Sequence, residues 1–212
     1  MSDGAAPSVQ IAALVLAAGG SRRLGEAKQL LCDATGETLI VRIVRALHAA
    51  EFDPIVVVTG ADADRVAAAV TGLPVYLVHH AGWADGMGTT IAHGMAWLAT
   101  EVPTAAGVVI AACDMPSVTV SHLRALRAAS DAASARVASA YAATHGIPAL
   151  FPRRDWPTLQ ALSGDTGARG LLRLADTRSV SLAGGTFDLD TPADVAAWRA
   201  VLQQQSGDCH RS

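Results

Sequence analysis

Apolar runs separated by amphipathic stretches organise this chain from about residue 11 to residue 130. Residues 11–16, Ile-Ala-Ala-Leu-Val-Leu, are apolar without alternation, as a strand buried on both faces requires. A glycine-rich segment follows, and then a helical stretch around residues 39–50. Residues 55–59, Ile-Val-Val-Val-Thr, predict a second buried strand stopped by Gly60. Asp62 stands where it can cap a helix reaching about Val70. Residues 75–78 predict a third strand. Thr89 or Thr90 is placed to cap a helix on which Ile91, Met95 and Leu98 share one face. Residues 108–111 predict a fourth strand, which ends at Asp114, with a helix over 118–129 behind it.

Alternation of buried strand and amphipathic helix predicts an α/β fold: a single domain with a doubly wound, mostly parallel, Rossmann-like sheet. Beyond about Arg136 the pattern breaks into short pieces with Gly and Pro, expected to form a small irregular C-terminal elaboration that shapes one rim. A last helix is expected from Pro192 to about Gln204, with Pro in its first turn and Asp194 near its positive end. The domain is expected to span residues 10–204, with frayed tails at 1–9 and 205–212.

Composition narrows the function classes. A chain of 212 residues, 51% hydrophobic and 17% charged, can bury a sizeable core. Its formal net charge of −3 provides no whole-molecule field for nucleic acid, so an anionic ligand has to be held by a local basic cluster. No apolar run reaches the ~18 residues of a membrane span, and residues 1–10 lack the basic and apolar regions of a secretory signal. Cys32, Cys113 and Cys209 are odd in number, far apart and without CxxC spacing, which suits reduced thiols in the cytoplasm rather than a zinc site. Lys28 is the only lysine among 16 basic side chains, the others being arginine. A lysine kept against that background suits a position where a compact ammonium is required.

That lysine closes the segment Leu16-Ala17-Ala18-Gly19-Gly20-Ser21-Arg22-Arg23-Leu24-Gly25-Glu26-Ala27-Lys28. Small residues and glycines let a backbone approach a ligand closely and turn its N–H groups toward an anion, and Arg23 and Lys28 add positive charge suited to a triphosphate. The segment is neither a Walker A loop, since no Ser or Thr follows Lys28, nor a GxGxxG dinucleotide loop. In a parallel sheet, ligands sit beyond the carboxyl ends of the strands, and both this loop and Asp114 follow strand ends. A carboxylate there, beside Met115-Pro116, suits Mg²⁺; capping of the next helix is the plainer reading of Asp114.

The run Leu16-Ala17-Ala18-Gly19-x-Ser21-x-Arg23-x-Gly25-x-x-Lys28 resembles the signature of the MobA-like NTP transferases. The resemblance continues through Gly86-Met87-Gly88-Thr89-Thr90, Asp114-Met115-Pro116, Gly164-Asp165-x-Gly167-Ala168-Arg169 and Asp188-Leu189-Asp190-Thr191-Pro192-x-Asp194, and so covers nearly the whole chain. Ala18 in the loop, with Trp83 ahead of Gly86, is most similar to molybdenum cofactor cytidylyltransferases, whereas guanylyltransferase relatives more often carry a second glycine at the place of Ala18. Ile147 departs from the pattern, standing where some relatives have His.

The resemblance implies a Mg²⁺-dependent nucleotidyltransferase that moves CMP from CTP onto a molybdopterin-type cofactor and passes the product to an apo-hydroxylase of the xanthine dehydrogenase type. It assigns Arg23, Lys28 and Asp114 to catalysis, and residues 16–21 with Gly86, Met87, Thr89 and Thr90 to the nucleotide. Asp114 becomes a metal ligand, with Asp190 as the second and Asp188 as its competitor; alternation along a strand would put those two on one face. Asp190-Thr191-Pro192 is equally a helix-start signal. Asp165 and Arg169 are expected to meet the acceptor, with a surface ion pair as the plainer reading. GTP as donor, another phosphorylated acceptor, or a non-catalytic nucleotide-binding chaperone module remain as alternatives.

Overall fold

The computed structural model describes residues 9–185 and 188–208. Of the tails expected at 1–9 and 205–212, residues 1–8 and 209–212, with Cys209, lie outside the described residues, whereas 205–208 continue the last helix. A seven-stranded sheet is ordered β3-β2-β1-β4-β6-β5-β7. Its strands are β1 (Ile11–Ala17), β2 (Ile55–Thr59), β3 (Tyr76–His79), β4 (Gly107–Ala112), β5 (Val137–Tyr141), β6 (Thr144–Pro152) and β7 (Arg178–Ser181). β1 is parallel to both β2 and β4, β2 to β3, and β5 to β7, while β6 runs antiparallel between β4 and β5. The chain therefore leaves β1 in one direction and returns at β4 on its other side. That switch point opens a crevice at the strands' carboxyl ends.

Both faces of the sheet are covered, which is why its central strands read as unbroken apolar runs. Alternate residues of β1 serve different cores. Ala13 and Val15 pack with Ile40, Val44 and Leu47 of α1 (Leu39–Ala49), with Val66 of α2 (Ala63–Ala69) and with Leu123 and Leu126 of α4 (Val120–Ala129). Ala12 and Leu14 pack with Ile91, Met95 and Leu98 of α3 (Met87–Glu101), with Trp156 and Leu159 of α5 (Trp156–Gln160) and with Leu172 of α6 (Arg169–Leu172). A third cluster joins Leu24, Leu31 and Leu39 to Leu189, Val195 and Trp198, the last two on α7 (Pro192–Asp208). It clamps the glycine-rich segment from outside. Among the described residues no helix is long and apolar enough to cross a membrane.

The structure departs from the hydrophobic pattern in several places. The expected elaboration after Arg136 is in part three more strands of the same sheet. β5 and β6 turn at Ala142 and Ala143, both with positive φ (46° and 57°), a left-handed turn carried by residues that give no turn signal. Helix α3 begins at Met87 with Gly86 as its N-cap, so Thr89 and Thr90 lie inside its first turn rather than capping it. Asp62 occupies the N-cap of α2 without a capping bond and pairs with Arg65 at 3.0 Å. Asp194 earns its place at α7: its carboxylate accepts from the Thr191 backbone N–H (2.8 Å) and hydroxyl (2.7 Å), and the Thr191 hydroxyl accepts from the Asp194 N–H (3.3 Å).

One buried charge staples the C-terminal strands. Arg136, 2% exposed, donates twice to Asp155, at 2.8 and 2.7 Å, and once to Asp176 at 2.8 Å. Asp155 is itself buried. Removing one member of such a pair strands the other charge in the core. Arg136→Ala is expected to cost about 3–5 kcal/mol in urea unfolding; a loss below about 1 kcal/mol, the range of a solvated pair, would show that Asp155 does not depend on it.

Candidate active site

The glycine-rich segment leaves β1 at the switch point and returns to the wall of the crevice as a short 3₁₀ turn, Lys28–Leu30. Ser21 organises it. Its carbonyl accepts from the N–H groups of Leu24 and Gly25, both at 3.0 Å, and its hydroxyl accepts from the N–H of Lys28 at 3.1 Å. The backbone N–H groups of Gly19, Gly20, Ser21 and Arg22 hydrogen-bond to no other described residue. Successive uncommitted N–H groups at the end of a buried strand suit an anion.

Four charged side chains meet at the end of this loop. The Lys28 ammonium donates to Asp114 in a very short contact and to Asp190 at 3.0 Å. Arg23 donates to the other oxygen of Asp190 at 2.5 Å. Burial works against the charge on Lys28, but attraction and hydrogen bonding from Asp114, then from Asp190, outweigh it and hold the ammonium well above the usual lysine value. Asp114 and Asp190 thus present oxygens to one cation from two distant parts of the chain. Two hard carboxylates converging on a single positive centre fit Mg²⁺, which takes one or two protein oxygens. Among the described residues, no group of three or more His, Cys, Asp or Glu side chains is placed to hold a metal ion.

Two cavities share Met87, Ala112 and Asp114. The larger, about 280 Å³, takes in Leu16, Ala18, Gly19 and Lys28 of the loop, with Trp83, Gly86, Thr90 and Asp165 opposite. Arg22 lies over the Trp83 ring, 5.8 Å from its centroid. The smaller, about 140 Å³, is lined by Tyr141, Arg169 and Asp188 with Met115, Ile147 and Leu172. Asp165 therefore lines the larger cavity, whereas Arg169 lines the smaller. The cause is backbone packing: Gly88 N–H donates to Gly164 carbonyl at 2.8 Å, and a Cβ on Gly86 would stand 2.4 Å from that carbonyl, so the turn before Asp165 lies directly on the start of α3.

Other expectations also change. Ala17 is buried and offers its carbonyl to Gln29. Gly20 turns its α-carbon toward the Trp83 ring, where a Cβ would stand 3.0 Å from the ring. Thr89 turns its hydroxyl to the Gly86 carbonyl (2.8 Å) and to His80 (3.1 Å), away from the cavity that Thr90 lines. Arg23 is 72% exposed along its side chain, held at the lip by Asp190. Residues 188–190 form no strand, so alternation does not apply: Asp190 joins Lys28 and Arg23, whereas Asp188 lines the smaller cavity. Tyr141, Arg22 and Gln29 carried no sequence signal.

Desolvation, then repulsion from Asp114 and Asp190, pushes the Asp188 carboxyl up to about 6. A folded-state value above the unfolded 3.8 means that the native protein binds the proton more tightly, so this contribution to stability is present at low pH and is lost as pH rises through 6. Asp188→Asn is expected to melt higher than wild type at about pH 8 and equally at about pH 3. An advantage no larger at the higher pH would contradict the repulsion.

Residues 13–181 match the MobA-like NTP transferase domain. The chain belongs to this family. It is accordingly a nucleotidyltransferase. Nicotine blue oxidoreductase of Paenarthrobacter nicotinovorans is 28% identical over 170 residues, covering 77% of this chain and 81% of that protein. Purine catabolism protein PucB of Bacillus subtilis (strain 168) is 28% identical over 199 residues, covering 88% and 95%. Among solved structures, Rv0371c of Mycobacterium tuberculosis H37Rv superposes with a TM-score of 0.76 at 28% identity, covering 92% of this chain and 100% of that one. Its complex with manganese superposes at 0.71, with 27% identity and 91% and 99% coverage.

Proposed function

We propose that this nucleotidyltransferase moves CMP from CTP onto a molybdopterin-type cofactor and releases pyrophosphate, with Mg²⁺ at Asp114 and Asp190. The observation that carries the reading is the convergence of Lys28 and Arg23 with those two carboxylates at the end of a loop in which the N–H groups of Gly19, Gly20, Ser21 and Arg22 have no partner among the described residues. The solved complex of Rv0371c with manganese supports a divalent cation as the partner of this chain. Ala18 and Trp83 support cytosine as the base, and the smaller cavity, which shares Asp114 with the larger, supports an acceptor placed beside the α-phosphate.

An ionised phosphate oxygen of the acceptor attacks the α-phosphorus in line with the bond to the β-phosphate. The new P–O bond forms as that bond breaks, and its electrons leave with pyrophosphate. Since the nucleophile is already ionised, no side chain has to take a proton. The loop N–H groups hold the phosphates, Lys28 and Arg23 meet the charge growing on the β and γ oxygens, and Trp83 and Gly86 confine the nucleoside. Asp114 and Asp190 would hold Mg²⁺, which would supply Lewis-acid neutralisation of the charge on the α-phosphate. Arg169 and Tyr141 orient the acceptor from the smaller cavity.

Melting temperatures with each NTP and Mg²⁺ test the donor. A ligand at a hundred times its Kd stabilises the native state by about 2.7 kcal/mol, so CTP is expected to raise the melting temperature more than GTP, ATP or UTP. A preference for GTP would reassign the base. No shift with any NTP would remove the reading, and NTP-dependent shifts without pyrophosphate release in the presence of any acceptor would leave a binding module.

A further inference from the structure

Gln29, directly after the charged lysine, is 1% exposed, and its side chain points back beneath the loop. Its amide nitrogen donates to the carbonyls of Ala17, at 3.0 Å, and Gly19, at 2.7 Å. The intervening Ala18 carbonyl is taken by the N–H of Ala61 at 3.1 Å. Three consecutive carbonyls are thus anchored to the body of the protein. In a trans peptide the N–H points opposite to the C=O of the same unit. Anchoring the Ala18 and Gly19 carbonyls therefore turns the N–H groups of Gly19 and Gly20 away from Ala61 and Gln29. Those are two of the N–H groups with no partner among the described residues.

Gln29 also bears a cost that a space-filling residue would avoid: its amide oxygen is buried and makes no hydrogen bond among the described residues. A buried carbonyl without a donor is unfavourable. A methionine or leucine of similar volume would fill the same space without it. What only the amide supplies is a nitrogen with two hydrogens, enough for two carbonyls at once.

We propose that Gln29 is a positioning residue for phosphate transfer: it presets the peptide planes of the glycine loop so that the Gly19 and Gly20 N–H groups face the phosphate chain before the nucleotide arrives. The proposal rests on the nucleotidyl-transfer reading and deepens it. It also explains why Lys28 and Gln29 are adjacent. One 3₁₀ turn sends successive side chains to the two sides of the loop, an ammonium to the crevice and an amide to the core.

The test uses the full chain and inorganic tripolyphosphate, a probe with neither base nor acceptor chemistry. Gln29→Met keeps the volume and removes both donors. Folded Gln29→Met is expected to bind tripolyphosphate about tenfold more weakly or worse, with kcat for pyrophosphate release reduced about 10²-fold and KM for the NTP raised. Gln29→Glu, which turns oxygens toward both carbonyls, is expected to be worse still. A merely structural role would lower the folded fraction while leaving KM and tripolyphosphate affinity per folded molecule unchanged, and that result would overturn the proposal. Should Gln29→Met fail to fold, the wild-type protein still decides: adding tripolyphosphate is expected to shift the Gly20 amide resonance while the Gln29 side-chain amide protons stay in slow exchange. An unshifted Gly20 resonance overturns the proposal. A wild-type protein that releases pyrophosphate from no NTP would overturn the nucleotidyl-transfer reading itself, whereas wild-type tripolyphosphate binding matched by Gln29→Met overturns only the role of Gln29.

Discussion

Lys28→Ala is expected to lower turnover by about two to four orders of magnitude, the range for losing a charge contact made to the transition state. The geometry adds a second consequence of opposite sign. In the native crevice the ammonium is shared by Asp114 and Asp190 and competes with any other cation for them. Its removal leaves Asp114 without its ammonium and Asp190 with Arg23 alone, so Lys28→Ala should need less Mg²⁺ for half-maximal activity even as its maximal rate collapses. Pyrophosphate release measured across a Mg²⁺ titration reads both quantities. Lys28→Arg is expected to restore little, because a planar guanidinium distributes its charge over a fork, while this position offers one compact point between two carboxylates that approach from different elements. Wild-type turnover in folded Lys28→Ala would end the assignment.

That lysine was among the most legible features of the sequence, and the reasons bear on what was not. β1, β2 and β4 are covered on both faces, so their apolar runs needed no knowledge of partners. The glycine loop and Asp114 follow those runs directly, which placed them on one rim. β5 hid because Val137-Ala138-Ser139-Ala140-Tyr141 is rich in small residues and is bulged at Ala138 and Ser139. β6 carries Pro148 in its middle, a residue that argues against an internal strand. At the site, local sequence did not show which cavity each residue lines. Asp165 and Arg169 are four residues apart and read as one acceptor motif, yet Gly86 and Gly88 draw the first against α3 and leave the second facing Asp188. Gln29 was invisible because its partners are backbone carbonyls, which every residue possesses.

Asp114→Asn is expected to produce the mirror image of the lysine variant. Both lose about two to four orders of magnitude in maximal rate, but the asparagine variant should need more Mg²⁺, because a neutral amide replaces the better enclosed of the two carboxylates. Asp114 is 13% exposed along its side chain and Asp190 33%, and Asp190 is also tied to Arg23. Asp190→Asn is accordingly expected to raise the Mg²⁺ requirement less. Loss of its stronger partner should also loosen Lys28, which owes its raised pKa first to Asp114 among the groups that favour the charge. Opposite displacements of the Mg²⁺ midpoint in Lys28→Ala and Asp114→Asn are a signature that misfolding does not produce, since a misfolded fraction lowers the rate and leaves the midpoint in place. If both variants moved the midpoint the same way, the ammonium and the metal would not be sharing Asp114, and the cation-bridged arrangement would have to be abandoned.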